Sequence, residues 1–327
     1  MQIGKTMAFI GAIVVAASMP LSGLMAEDFP SKPVQLVVPF KPGGGSDISA
    51  RIFAKYASKY LPQKVVVTNI DGARGRAAEL EVKRARPDGY MVLWQHQNIH
   101  MSVATGRSKY DYKAFDPVAS TVRTDTALVV ARNSPLKTAA DLNTVAKAKP
   151  GTIRWGAAIN GFSHFAYLAY LEAVGLDEKH FHTIGMSGDQ DRVIAMMQGN
   201  LDVAIIALSA ARPFLDSGDI VMLGVMAEER SEAYPTLPTL REQGINAPFY
   251  FDYMSFVPKG TPSDRIKILQ DAWTKAVHDP DCRKELLGGW MIPTDVAGPK
   301  FEDYLSKQLK LFTDLAKKFH LVEEEAK

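Results

Sequence analysis

The chain has 327 residues, of which 46% are hydrophobic and 23% are charged, as in an ordinary soluble globular protein with room for two domains. The formal net charge of +2 gives no reason to expect binding to nucleic acid or to an anionic membrane. The single cysteine, Cys282, excludes a disulfide within the chain. The protein therefore needs a hydrophobic core that is stable without such a link.

Residues 1–26 have the pattern of a secretory signal peptide. Lys5 supplies a positive charge, residues 7–17 are mostly apolar, and Ala26 is a small residue at the expected point of cleavage. A membrane anchor is the alternative, but the apolar run is short for a span of about 20 residues, and Pro20 lies soon after its end. We expect cleavage near Ala26 and export of the mature chain.

Strand-like and helix-like segments alternate through the rest of the chain. Apolar runs predict strands at residues 34–40, 64–69, 90–94, 127–131, 153–157, 203–206 and 221–226. Apolar residues at helical spacing predict helices at residues 48–60, 76–85, 139–148, 164–174, 192–198, 263–278, 282–288 and 300–319. This alternation is typical of an α/β fold with parallel sheets covered by helices.

No flexible linker separates the segments, so we expect two Rossmann-like α/β domains that the chain crosses between more than once. The crossings are expected near residues 125–132 and 249–256. Residues 27–128 and 252–327 then form domain 1, and residues 129–251 form domain 2. A ligand cleft is expected between them, at loops that follow the carboxyl ends of strands.

The loop after the first strand is the clearest candidate for ligand binding. It contains Gly43, Gly44 and Gly45, followed by Ser46 and Asp47 at the start of a helix. Free backbone N–H groups at a helix start attract anions, and glycines let a ligand approach the backbone. Nucleotide motifs do not fit, because the dinucleotide fingerprint needs a glycine where Ile48 stands and the P-loop lysine is missing. Asp47 is more readily interpreted as a cap than as a general base.

Other motifs give weaker evidence of chemistry. The segment Asn160-Gly161-Phe162-Ser163-His164 resembles a hydrolase elbow only loosely, because residue 165 is a phenylalanine instead of the second glycine. His96 and His100 have the spacing of metal ligands on a helix, but no cysteine or carboxylate cluster accompanies them. The sequence therefore predicts neither a metal site nor a bound cofactor.

From about residue 29 to residue 321, the motifs resemble in their order those of the substrate-binding proteins of tripartite tricarboxylate transporters, the Bug family. The stretches that carry the resemblance include Pro42-Gly43-Gly44-Gly45-Ser46-Asp47, Arg86-Pro87-Asp88-Gly89-Tyr90, Ala148-Lys149-Pro150-Gly151, Gly199-Asn200-Leu201-Asp202 and Pro258-Lys259-Gly260-Thr261-Pro262. Each motif is weak alone, but together in this order they are specific.

The resemblance implies two α/β domains of the type II periplasmic-binding-protein kind and no enzyme activity. It implies a periplasmic monomer that closes on a small organic carboxylate and delivers it to the membrane subunits of a tripartite transporter. A role as the ligand-sensing partner of a membrane sensor is a compatible alternative. An exported α/β hydrolase that uses Ser163 or Asp47 is a less favoured one.

The resemblance also maps ligand loops onto three places, namely residues 40–47, 96–98 and 160–164. With two residues from neighbouring turns, the candidate ligand-binding residues are Phe40, Lys41, Gly43, Gly44, Gly45, Ser46, Asp47, Arg74, His96, Gln97, Asn160, Gly161, Phe162, Ser163 and Ser187.

Several residues depart from the family's pattern. Lys41 and Arg74 offer cationic donors for a second carboxylate, although solvent exposure is the favoured interpretation of both. Asp189 and Asp191 are expected on a solvated face rather than at a ligand amine. Trp94 is expected in the core, and the aromatic residues at 249–253 are expected to pack at the hinge.

Overall fold

The computed structural model describes residues 28–322. The expected signal peptide and its cleavage near Ala26 lie outside these residues. The described chain contains ten strands, β1 to β10 in chain order, at Val34–Val38, Val65–Asn69, Met91–Gln95, Phe115–Ala131, Ile153–Ala157, Phe181–Gly185, Val203–Ala207, Ile220–Val225, Tyr250–Pro258 and Ile292–Ala297. It contains ten α-helices, α1 to α10, at Gly45–Ala57, Arg76–Arg84, Asn98–Ala104, Ala139–Ala148, Phe162–Val174, Asp189–Met197, Leu208–Asp216, Ser263–His278, Pro280–Gly288 and Gly298–Lys318.

One strand, β4, joins the two parts of a continuous sheet with the order β2-β1-β3-β9-β4-β7-β5-β6. Its first part pairs with β9 and β10, and its last part pairs with β7 and β8. We call β2, β1, β3, β9 and β10 the first half-sheet, and β7, β5, β6 and β8 the second half-sheet. The chain passes from one to the other within β4 and returns before β9.

The prediction of parallel sheets is correct for only part of each half-sheet. The pairs β1–β2, β1–β3, β5–β6 and β5–β7 are parallel. However, β4 runs antiparallel to all four of its partners, and β9 also runs antiparallel to β3. The sequence missed most of β4 because Thr121, Thr124 and Asp125 are polar yet buried there, so no apolar run marks the strand.

Large aromatic side chains fill the cores beside each half-sheet. The Phe53 ring stacks on Trp94 at 4.9 Å and meets the edge of Trp273 at 5.3 Å. In the second core, the Trp155 ring lies 4.4 Å from Tyr167. Burying a side chain of this size stabilises the fold by about 2–3 kcal/mol. The prediction that Trp94 belongs to the core is confirmed, since it is fully buried.

The last helix, α10, contacts both halves. Its first turns bury Phe301 and Leu305 against β3 and β9, whereas Phe312 and Leu315 near its end join the core beside the second half-sheet. Helices α8 and α9 pack in the core beside the first half-sheet, as expected for the C-terminal helices, whereas α10 does so only with its first turns. The division into two domains remains a prediction. Among residues 28–322, no helix combines the length and the apolar character needed to cross a membrane.

Candidate ligand-binding site

A cavity of about 520 Å³ lies between the two half-sheets, at loops that follow the carboxyl ends of β1, β2, β3, β5 and β6. This volume is within the range that holds small organic ligands in other proteins. Ten of the fifteen candidate residues line it, namely Phe40, Gly44, Gly45, Ser46, Arg74, His96, Gly161, Phe162, Ser163 and Ser187. Their contact with a ligand stays a prediction.

Five candidates do not line the cavity: Lys41, Gly43, Asp47, Gln97 and Asn160. Lys41 is exposed, in agreement with the solvent interpretation. Gln97 ties the end of β3 to β9, because its Nε2 donates to the Tyr250 carbonyl at 3.1 Å and its Oε1 accepts the Asp252 N–H at 3.1 Å. Asn160 forms the tight turn before α5 with a left-handed φ of 55°, and its N–H donates to Nδ1 of His164.

The carboxylate of Asp47 braces the glycine loop. It accepts hydrogen bonds of 2.9 Å from the Gly43 N–H, from Nδ2 of Asn69 and from Nε of Arg51. Burial alone would raise the pKa of Asp47, but these hydrogen bonds outweigh it and hold the pKa below the ordinary value. Since its oxygens are committed to the loop, Asp47 fixes the shape of the site instead of facing the cavity.

Two helix N-termini from opposite sides of the cavity point their first turns at it. In α1 the Gly44 carbonyl accepts the N–H groups of Asp47 and Ile48, and in α5 the Gly161 carbonyl accepts those of His164 and Phe165. The N–H groups two residues earlier, at residues 45–46 and 162–163, have no intrahelical acceptor. The partial positive charge of both helix dipoles therefore falls on the same space.

Ser163 adds a hydroxyl to the N-terminus of α5. Its Oγ accepts the Ala158 N–H at 2.8 Å, which leaves its own O–H to donate. The ring of the neighbouring His164 contacts the Asn160 N–H and Glu178. Neither contact joins the two side chains, so the pairing that a serine nucleophile needs is not formed between Ser163 and His164.

Aromatic rings make up the apolar wall of the cavity. The His96 ring stacks on Phe40 at 5.1 Å and meets the edge of Phe251 at 5.0 Å, and Phe162 stacks on Phe251 at 3.5 Å between ring centres. The Asn98 N–H donates to Nδ1 of His96, so the proton of the neutral ring is carried on Nε2. Burial lowers the pKa of His96 to about 3, which makes it a neutral donor at physiological pH.

The structure corrects two expectations about the wall. Phe251 and Tyr253, which were expected to pack at the hinge, line the cavity. Their spacing of two residues on β9 places them on one face of the strand, a signal that becomes readable only once β9 is recognised as a strand. Asp189, which was expected on a solvated face, also lines the cavity, whereas Asp191 is exposed.

Arg192 is a wall residue that the sequence did not single out. Its guanidinium is buried, with Nη1 donating to the Met186 carbonyl at 2.9 Å and Nη2 bonded to the carboxylate of Asp189. Arg74, by contrast, is exposed on the turn before α2, with a left-handed φ of 56°. Within residues 28–322, no three His, Cys, Asp or Glu side chains are grouped as metal ligands.

Known proteins share this architecture over nearly the whole chain. A UPF0065 protein of Cupriavidus necator is 28% identical over 295 residues, which cover 90% of this chain and 89% of that protein. A solved TctC solute-binding protein from Polaromonas is 27% identical with a TM-score of 0.72, covering 89% of this chain and 99% of that one. MatC of Rhodopseudomonas palustris, solved with bound malate, is 25% identical with a TM-score of 0.77, covering 88% and 99%.

The two solved structures share the fold of this chain, a mixed sheet with helices on its faces, and the Polaromonas protein is a solute-binding protein. The sequence model of the tripartite tricarboxylate transporter family receptor matches residues 49–321, which is well over half of the chain. The chain belongs to the tripartite tricarboxylate transporter receptor family.

Proposed function

We propose that this protein is a periplasmic solute-binding protein that captures a small organic carboxylate in the cavity and delivers it to the membrane subunits of a tripartite transporter. It acts as a monomer without cofactor or chemical turnover, after its leader is removed near Ala26. Residues 27–128 with 252–327 and residues 129–251 act as two domains that close on the ligand. Family membership supports this assignment, and so does the malate held by MatC.

The observation that carries the proposal is the pair of helix N-termini on opposite sides of one cavity. A carboxylate has two oxygens with several lone pairs, and the uncommitted N–H groups of α1 and α5 can satisfy them from both sides. Helix α1 follows a strand of the first half-sheet and α5 follows a strand of the second. A carboxylate bound to both helices would therefore favour a closed arrangement of the two halves, because an open arrangement would lack one set of these contacts.

Ligand-induced stabilisation tests the proposal. We expect the melting temperature to rise by several degrees with at least one member of a panel of mono-, di- and aromatic carboxylates that includes malate. A ligand at 100 times its Kd adds about 2.7 kcal/mol to the free energy of unfolding. If no carboxylate raises the melting temperature at millimolar concentration, and none is found by native mass spectrometry of the purified protein, the proposal is wrong.

A substitution at Gly44 tests the helix end within the same experiment. Gly44 is the exposed N-cap of α1, and a side chain there would meet only the Lys41 carbonyl, at 3.7 Å. In Gly44→Asp, an attached carboxylate would occupy the positive end of the helix, so we expect ligand affinity to fall at least about tenfold with no loss of stability. Gly44→Asn is the neutral control of equal size. If the two variants bind the ligand with equal affinity, the N-terminus of α1 does not contact the ligand.

A further inference from the structure

Two carboxylates line the cavity, that of the exposed Asp71 and that of the partly buried Asp189. The side chain of Asp189 is 24% exposed, and it lies at the first position of α6. One oxygen is bonded to Nη2 of Arg192, and the other accepts the Ala207 N–H at 3.3 Å, which is a long hydrogen bond. An ionised carboxylate has about four acceptor positions, so part of this capacity is left facing the cavity.

Arg192 holds this carboxylate in place. The guanidinium side chain is only 3% exposed, and its bond to the Met186 carbonyl fixes it to the loop before α6. Arg192 lies in the first turn of α6, where the helix dipole destabilises a positive charge, so a nearby anion is needed to stabilise it. Asp189 supplies that anion, and the two charges cancel locally. Arg192 is therefore a positioning residue in the cavity wall, with Nη1 committed to the Met186 carbonyl and Nη2 to Asp189.

Asp189 lines the same cavity as Gly44, Gly45 and Ser46 of the glycine loop. Burial chiefly, and the charge of Asp189 in addition, raise the pKa of Tyr253. The Tyr253 hydroxyl in turn lies 3.1 Å from the position that a Cβ on Gly45 would occupy. A ligand that fills this cavity with its carboxylate at the N-terminus of α1 therefore also meets the wall that carries Asp189.

A carboxylate that accepts but cannot donate would repel a purely anionic ligand, and it would attract a ligand that offers an O–H or N–H group. We propose that Asp189, fixed by Arg192, is a specificity-determining acceptor, and that the ligand is a small carboxylate that also carries a hydroxyl or amino group. This inference rests on the proposed function, and it names the chemical class of ligand that the same cavity selects.

Matched pairs of probes test the inference: propionate with lactate, succinate with malate and with aspartate, and benzoate with 4-hydroxybenzoate. Calorimetric titration gives the ratio of Kd values within each pair. We expect the natural chain to bind the donor-bearing member at least about tenfold more tightly in one pair or more, the size of effect of a hydrogen bond to a charged group. In Asp189→Asn we expect that ratio to fall to about threefold or less.

Asp191→Asn is the matched control, because Asp191 lies on the same helix but is exposed and outside the cavity, and we expect it to keep the natural ratio. If Asp189→Asn fails to fold with Arg192 unpaired, the double variant Asp189→Ala with Arg192→Leu removes both charges, and the same loss of preference is expected. If carboxylates bind without any preference for the member that carries a donor, the inference is wrong. It is also wrong if the preference persists in Asp189→Asn and in the double variant, although the proposed function would stand in both cases. Failure of every carboxylate to bind overturns the proposed function together with the inference.

Discussion

At the scale of single residues, the glycine loop owes its shape to Asp47. Three hydrogen bonds converge on this carboxylate, and they join the loop, the first helix and the end of β2. The residue was a candidate for ligand contact because it lies next to the exposed helix end. Its oxygens are instead used to hold the N–H groups of the loop in the orientation that an anion would require.

We expect Asp47→Ala to lower the free energy of unfolding by about 2–3 kcal/mol at pH 7, because it leaves several partners of a buried carboxylate without an acceptor. The folded-state pKa of Asp47 lies below the ordinary value of 3.8, so its stabilising effect is present above that pH and is lost as the pH falls further. Urea unfolding at pH 7 and pH 3 measures both effects. Asp71→Ala, at an exposed position, is the control, and an equal loss in the two variants would contradict the role of Asp47 as a brace.

The sequence predicted the residues of the site that belong to a local pattern. Gly44, Gly45 and Ser46 form one continuous stretch at the start of a helix, where free backbone N–H groups are known to bind anions. Arg192 and Asp189 could not be predicted in the same way, since a charged pair three residues apart is usual on an exposed helix. Only the packing of α6 against β7 makes this pair a wall of the cavity.

At the scale of elements, α10 contributes buried residues to the cores beside both half-sheets. Its buried residue Phe312 meets the edges of Phe165 at 5.4 Å and of Phe249 at 5.9 Å, and it stacks over His100. The helix therefore closes the core beside the second half-sheet, although its first turns pack on the first.

We expect Phe312→Ala to lower the free energy of unfolding by about 3–5 kcal/mol, because it leaves a cavity among large rings that cannot collapse freely. Leu311→Ala, at a neighbouring residue that is 44% exposed, is expected to cost under about 1 kcal/mol. Chemical denaturation of the two variants measures the difference. Similar losses would mean that the end of α10 contributes little to the second core.

The strands and helices that were predicted well are those with an uninterrupted apolar pattern. The helices at Ala139–Ala148 and Ser263–His278 and the strand at Ile153–Ala157 are confirmed to the residue. β9 was missed because aromatic and polar residues follow one another in it without clear alternation, and β10 was missed because Pro293 and Asp295 interrupt its apolar residues. Their identity as strands depends on pairing with β4, which is distant in the sequence.

At the scale of the whole molecule, two buried acids make stability depend on pH. Burial raises the pKa of Glu79 to about 7 and that of Asp125 to about 6. Both groups ionise more readily in the unfolded chain than in the folded one. The free energy of unfolding should therefore fall as the pH rises from about 4 towards 7, in the opposite direction to the effect of Asp47.

Glu79→Gln isolates one of these contributions. Nε2 of Gln95 donates to Oε1 of Glu79 at 2.8 Å, and a glutamine oxygen can accept the same bond. We expect the variant to exceed the natural chain in the free energy of unfolding at pH 8 by on the order of 2–3 kcal/mol, with the gap closing near pH 4. Urea unfolding across that range checks the prediction, and a constant gap at every pH would contradict the titration of Glu79.

The positions of Phe29 and Leu321 have a practical consequence for observing motion. Phe29 packs in the core beside the first half-sheet, and Leu321 packs in the core beside the second. Fluorophores attached next to these two residues would lie on opposite sides of the cleft, and the residues that line the cavity would not be altered. A change in energy transfer between them on addition of a carboxylate would then reveal the proposed closure in a single molecule.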